Sequence, residues 1–183
     1  VPIIYTIGHS TRTFDELVAA LQGHDIKTLV DIRSFPMSRR MPHFNRESLE
    51  VELPKHGIAY VWLKELGGRR KRILKESPNT ALRSDSFRNY ADYMMTKEFV
   101  AGIASLLSIA EGTTGATAIM CAERMYFQCH RMLVSDYLTA HGHTVLHIDD
   151  ENRAARLHTV MAEARLVDGT LLYDTEKLFP DKP

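Results

Sequence analysis

Disulfides are the first thing this chain lacks. Two cysteines in 183 residues cannot build the cross-linked framework of small secreted domains. Thiols here are left with reactivity, metal binding or packing, and the expected setting is the reducing cytoplasm. A long apolar run is also missing, since nothing approaches the ~20 residues of a membrane span, so no membrane partner is expected. The opening Val1-Pro2-Ile3-Ile4-Tyr5 has no basic segment leading into an apolar one and reads as a strand. Neither sign of charge is in excess: 23 Lys and Arg balance 23 Asp and Glu. No global field therefore recruits nucleic acid or a charged surface, and any basic patch must be local. Internal repeats, linkers and low-complexity segments are absent as well.

What is present is an alternation of short apolar runs with amphipathic ones. Runs at 3–7, 28–33, 59–63, 117–121 and 144–148 are β-branched or apolar and end in turn or polar residues, as buried strands do. Between them, Thr13 and Glu16 have the capping-box spacing ahead of Phe14, Leu17, Val18 and Leu21, with Gly23 closing the helix. Asn45 leads a helix through Leu49 and Leu53, Phe87 to Met94 has helical spacing, and Thr96 precedes another helix carrying Phe99, Ile103 and Leu106. Leu133, Val134, Tyr137 and Leu138 form the inward stripe of a helix ending near Gly142. The pattern predicts a single α/β domain over residues 1–183: a mostly parallel five-stranded sheet with helices on both faces, joined by right-handed crossovers. A further helix is expected from Leu157, Val160, Met161 and Ala164, then a hairpin around Asp168-Gly169.

In such a sheet, ligands bind beyond the carboxyl ends of the strands. That edge collects His9 and Ser10, Asp31 and Arg33, Gly67, Gly68 and Arg69, and Cys121 with Glu123. The stretch 118–131 is the focus, because it passes from strand through loop to helix and holds both cysteines with Glu123, His130 and Arg131. A helix N-terminus beside His130 and Arg131 would lower the pKa of Cys129 and make it a nucleophile, with Cys121 the weaker candidate. Against this, His130 lies one turn before inward Val134, and Cys is a common small core residue. Glu123 and Asp31 suit general acid and base roles, or simple neutralisation of nearby arginines. Arg33, Arg39, Arg40, Arg69 and Arg131 point to an anion, since guanidinium matches phosphate and carboxylate in a rigid fork. Arg33 and Arg131, at element ends, are the stronger of these. Cys121, Cys129 and His130, with His9 or His43, offer metal-ligand types, but no paired C-x-x-C spacing assigns a metal, and no cofactor follows from the residues.

Thr6-Ile7-Gly8-His9-Ser10, Asp31-Ile32-Arg33-Ser34-Phe35-Pro36 with Ser38-Arg39-Arg40 and Pro42-His43-Phe44, Glu65-Leu66-Gly67-Gly68-Arg69, and Cys121-Ala122-Glu123 with Cys129-His130-Arg131 together resemble an uncharacterised bacterial family, domain of unknown function 488. The resemblance runs from Ile4 to about Ile148 and leaves 149–183 as an extension. It implies a cytoplasmic α/β domain with these motifs as its site, and it brings no established reaction. The chain departs from the family pattern at Pro54 and at Arg124 to Gln128, where relatives commonly place a proline. A weaker likeness to rhodanese-like domains in Asp31-Ile32-Arg33 is set against a longer, glycine-free cysteine loop containing Glu123, so neither sulfurtransferase nor phosphatase activity is assigned. The expected function is an enzyme acting on an anionic substrate: a phosphorylated small molecule, a nucleotide or nucleic acid. The alternatives are a non-catalytic nucleic-acid or protein-binding module using residues 36–44 and 67–72, and a Cys/His metal-binding protein.

Overall fold

A computed structural model describes residues 1–150 and 153–174. Five parallel strands are β1 (Ile3–Gly8), β2 (Ile26–Asp31), β3 (Ala59–Trp62), β4 (Ala116–Cys121) and β5 (Thr144–Ile148), in the order β3-β2-β4-β1-β5. The α-helices are α1 (Phe14–Gly23), α2 (Arg46–Glu52), α3 (Asp85–Met94), α4 (Lys97–Gly112) and α5 (Arg131–Ala140). Strand alternation sorts the side chains into two cores, because successive residues of a strand face opposite sides. Ile7, Leu29, Ala118, Met120 and Ile148 pack with Leu17 and Leu21 of α1 and Leu49 of α2. Ile4, Val30, Ile119 and Val145 face the other way, onto Tyr90 of α3, Phe99 and Leu106 of α4, and Leu133 and Val134 of α5. Each such aliphatic side chain, once buried, contributes roughly 1.5–3 kcal/mol.

Local sequence fixes the helix starts. Thr13 and Glu16 make the reciprocal capping box of α1, at 3.1 and 2.7 Å. Thr96 accepts from the Phe99 amide at α4, and Ser84 from the Phe87 amide at α3. Asn45 starts α2 without a side-chain cap; its Oδ1 instead accepts the Ser38 amide at 2.7 Å and so folds the proline-rich loop back on itself.

The C-terminal part corrects two expectations. No helix forms over 157–164. Arg156–Leu157 is instead a sixth strand, β6, antiparallel to β5 at the sheet edge. A helix of eight residues is marginal alone, and here the backbone has better partners: the His158 amide donates to the Val145 carbonyl at 2.9 Å and the Met161 amide to Asp136 Oδ1 at 3.1 Å. The hairpin is present as β7 (Ala164–Val167) and β8 (Thr170–Tyr173), turning at Asp168 and Gly169 with φ of 48° and 80°. The connection before α3 is tied down: the Ala81 amide donates to the Tyr173 carbonyl, and buried Asn79 bonds Asp92 and the Tyr173 amide.

The topology creates the site. The connection leaving β2 runs to β3 on one side, and that leaving β4 runs over β1 to β5 on the other, so the chain reverses direction between adjacent β2 and β4. The crevice at such a switch point is where α/β sheets bind ligands. Gly8 at the end of β1 lets the β4 loop descend into it: a Cβ there would stand 1.8 Å from the Glu123 carbonyl oxygen. Gly8→Ala is therefore expected to cost about 3 kcal/mol or more in urea unfolding, the upper end of overpacking penalties; a wild-type midpoint would show that the loop yields freely.

Candidate functional site

Cys121 ends β4, Cys129 closes the 122–129 loop and His130 caps α5, and all three meet on the floor of a cleft of about 1150 Å³. Their ligand atoms lie within 4.8 Å of one another. Both thiols are free and nearly buried, at 8% and 7% exposure. The His130 ring is oriented by the Ile32 carbonyl, 2.9 Å from Nε2. A carbonyl only accepts, so Nε2 carries the hydrogen and Nδ1 faces Cys121 Sγ at 3.8 Å. Gly68 lies flat against this ring: a Cβ there would sit 2.4 Å from His130 Nδ1.

The two sulfurs behave as one coupled acid. The thiol of Cys121 is pulled down to about 7, first by the hydrogen bond from Cys129, against burial, and then by Arg131 and the Ala122 and Glu123 amides. Cys129 is pushed up to about 12 by its bond to Cys121 and by burial. The coupling favours Cys121 for the first proton lost, with Cys129 donating its remaining hydrogen to that sulfur. The Cys129 hydrogen, first of all, and then the Ala122 and Glu123 amides favour the thiolate at Cys121, and together they outweigh Arg131, whose donors reach the Cys129 sulfur.

Arg131 is 1% exposed and wholly committed. Its amide and Nε donate to Cys129 Sγ at 3.4 and 3.3 Å, Nη1 to Thr6 Oγ1 at 3.3 Å, and Nη2 to the carbonyls of Glu123 and Arg124. Of these partners only sulfur can carry negative charge. Arg33 is committed too, holding Asp31 through Nε and Nη2, the Phe44 carbonyl through Nη2, and His9 Nε2 through Nη1 at 3.2 Å. Asp31 is fully buried, and it also accepts from Tyr60 at 2.6 Å, so it balances Arg33 and has no lone pair turned to the cleft. His9 lines the cleft as a neutral ring donating from Nδ1 to the Ser10 carbonyl; burial foremost holds its pKa down at about 4. Ser10 takes a left-handed φ of 49° and ties its amide to the Ala122 carbonyl. Gly67 is buried against Ser34 and accepts from Arg70, whose guanidinium rests on Tyr93 at 3.6 Å.

Arg33 lines the cleft as well, but the exposed charges of its walls are others. Arg39, Arg69 and Glu123 line it and are exposed, whereas Arg40 is exposed but outside the lining. Among the described residues neither Arg39 nor Arg69 has a carboxylate partner; Arg69 stands 5.7 Å over the ring of Phe35, itself 67% exposed.

A second polar array, unforeseen in the sequence, runs inward from Arg131. Thr6 bonds His147 Nδ1 at 2.7 Å, His147 Nε2 meets His158 Nδ1 at 2.9 Å, His158 Nε2 meets Asp136 at 2.8 Å, and Tyr173 donates to Asp136 at 2.9 Å. Tyr126 of the loop stacks on His147 at 3.6 Å. A histidine within the apolar strand 144–148 and an aspartate beside the inward stripe of α5 were the available signals; nothing in the sequence joins residues so far apart.

A parallel α/β protein with a thiol and imidazole centre at its switch point is the class these features define. The family model described as Domain of unknown function DUF488 matches residues 13–138, and the chain belongs to that family. No curated protein and no solved structure matched it.

Two expectations follow. In chelator-treated protein, iodoacetamide labelling of Cys121 should rise with a midpoint near pH 7 while Cys129 lags, as read by mass-resolved peptides; Cys129 labelling first would reverse the assignment. Acid should also loosen the fold. His147, chiefly through burial, has its pKa lowered to about 3, and His9 to about 4, both below the ordinary 6.5. The folded state then binds fewer protons than the unfolded one across that window, so this stability is complete above pH 6.5 and drains as pH falls toward 4. The melting temperature should drop from pH 7 to 5 with both rings still neutral by imidazole NMR; charged rings at pH 5 in folded protein would contradict it.

Proposed function

We propose that the protein is an enzyme acting on an anionic substrate in the switch-point cleft, with Cys121, Cys129 and His130 as the reacting centre. The observation that carries this reading is the pairing of that trio on the floor with Arg39 and Arg69 on the walls of one cleft. Cations already saturated by the fold, such as Arg33 and Arg131, organise the site and do not hold the substrate. Arg39 and Arg69 are free to do so as bidentate forks. The thiol and imidazole centre supplies the reactivity on the cleft floor, and Glu123 at the cleft edge is an acid or base beside it. Exposed Phe35 beside Arg69 adds a flat apolar surface, which supports a nucleotide-like or nucleic-acid substrate over a bare sugar phosphate. The reduced thiols suit the cytoplasm. No described helix is long and apolar enough to cross a membrane.

Thermal unfolding with inorganic phosphate, nucleoside phosphates and short single strands is the test. A ligand at 100 times its Kd should add about 2.7 kcal/mol, a shift of roughly 5–10 °C for a chain this size. Arg39→Ala with Arg69→Ala should abolish that shift while keeping the unliganded melting temperature within about 2 °C, since exposed substitutions cost little. An absence of stabilisation by every anion would sink the proposal.

A further inference from the structure

We infer that Cys121, Cys129 and His130 form a three-ligand zinc site whose fourth coordination position opens into the cleft. Two sulfurs and one imidazole nitrogen are the donor set that selects a borderline-soft divalent ion, and three protein ligands with one open position is the arrangement of catalytic zinc. The geometry fits the ion closely. Tetrahedral zinc, with bonds of about 2.3 Å to sulfur and 2.0–2.1 Å to nitrogen, places S and N ligands roughly 3.6 Å apart. Cys121 Sγ and His130 Nδ1 stand at 3.8 Å, and all three ligand atoms fall within 4.8 Å.

The surroundings are those of a built site. His130 donates Nε2–H to the Ile32 carbonyl, the outer hydrogen bond that metal-bound histidines characteristically make, and this leaves Nδ1 bare toward the sulfurs. Cys129 Sγ receives the amide and Nε of Arg131, and loop amides of Ala122 and Glu123 reach Cys121. Gly68 provides the space beside Nδ1 that a side chain would fill. Each ligand comes from a different anchored position: a strand end, a loop end and a helix cap.

Binding releases two protons, as Zn²⁺ and two thiols become a zinc bis-thiolate with no change of oxidation state. Two thiolates neutralise the ion, and buried Arg131 beside Cys129 leaves one positive charge over. An anionic oxygen at the open position restores balance. In that last respect the inference rests on the anionic-substrate reading above; the metal site itself stands apart from it.

The test uses the full chain, stripped with chelator and then titrated with zinc against a chromophoric indicator, and separately with cobalt(II). One equivalent per chain is expected, with cobalt giving tetrahedral d–d bands and thiolate-to-cobalt charge transfer. Cys121→Ser and Cys129→Ser should each weaken zinc at least 100-fold, and His130→Gln at least 10-fold. Circular dichroism confirms that each variant is folded, and zinc protection of the wild-type thiols from alkylation gives a readout independent of the variants. Failure of folded wild type to bind zinc at micromolar concentration, with thiols that alkylate equally fast with and without it, would overturn the inference. Phosphate- or nucleotide-dependent stabilisation lost in the Arg39 and Arg69 variants would then leave the anion reading intact. Stoichiometric zinc with no anion effect would do the opposite.

Discussion

The buried guanidinium of Arg131 is the constraint around which this site is built. Placing a charge at 1% exposure costs several kcal/mol unless hydrogen bonds and a counter-charge meet it. Four hydrogen bonds meet it, to two carbonyls of the β4 loop, a hydroxyl of β1 and the sulfur of Cys129. One side chain thus fastens the loop, the central strand and the start of α5 together. The demand for a counter-charge falls on the coupled thiol pair, with Cys129 standing between the guanidinium and Cys121, and this couples a structural clamp to the reactivity of the thiols.

A division of labour among the arginines follows. Arg33 is balanced by Asp31 and Arg70 is spent on backbone carbonyls and the Tyr93 ring, so both stiffen the loops that border the cleft. Arg39 and Arg69 lie in those stiffened loops with nothing comparable to hold. Preorganised walls with unspent cations bind an anion without first breaking internal pairs, and this lowers the cost of association.

Much of the fold was legible because its signals are local. Five apolar runs, the Thr13 capping box and the Asp168-Gly169 turn each act within a few residues, and each is found where its chemistry places it. Residues of the family motifs likewise converge on one cleft. What could not be read were competitions decided at long range: the 157–164 segment has helical spacing, yet Asp136 and the edge of β5 capture its amides. The same holds for the roles of the charged residues. Position at an element end favoured Arg33 and Arg131, but an element end is also where a cation is most easily buried against carbonyls, and only the assembled rim reveals which were used up. The order of the two thiols depends first on which sulfur donates its hydrogen to the other, a matter of how the loop and helix bring them together.

The path of the β4 loop explains why it forms no phosphate-loop cradle. In such loops successive amides converge on the ligand and the helix N-terminus completes the cradle. Here Arg131 draws the carbonyls of Glu123 and Arg124 inward, while the amides of Ala122 and Glu123 are turned to Cys121. The Cys129 and Arg131 amides are occupied as well, by the Tyr126 carbonyl and by sulfur. The loop thus spends its donors on the thiols, and the exposed guanidiniums of the cleft, Arg39 and Arg69, belong to other loops. A centre arranged in this way concentrates its donors at sulfur, and the exposed cations of the cleft stand apart from it.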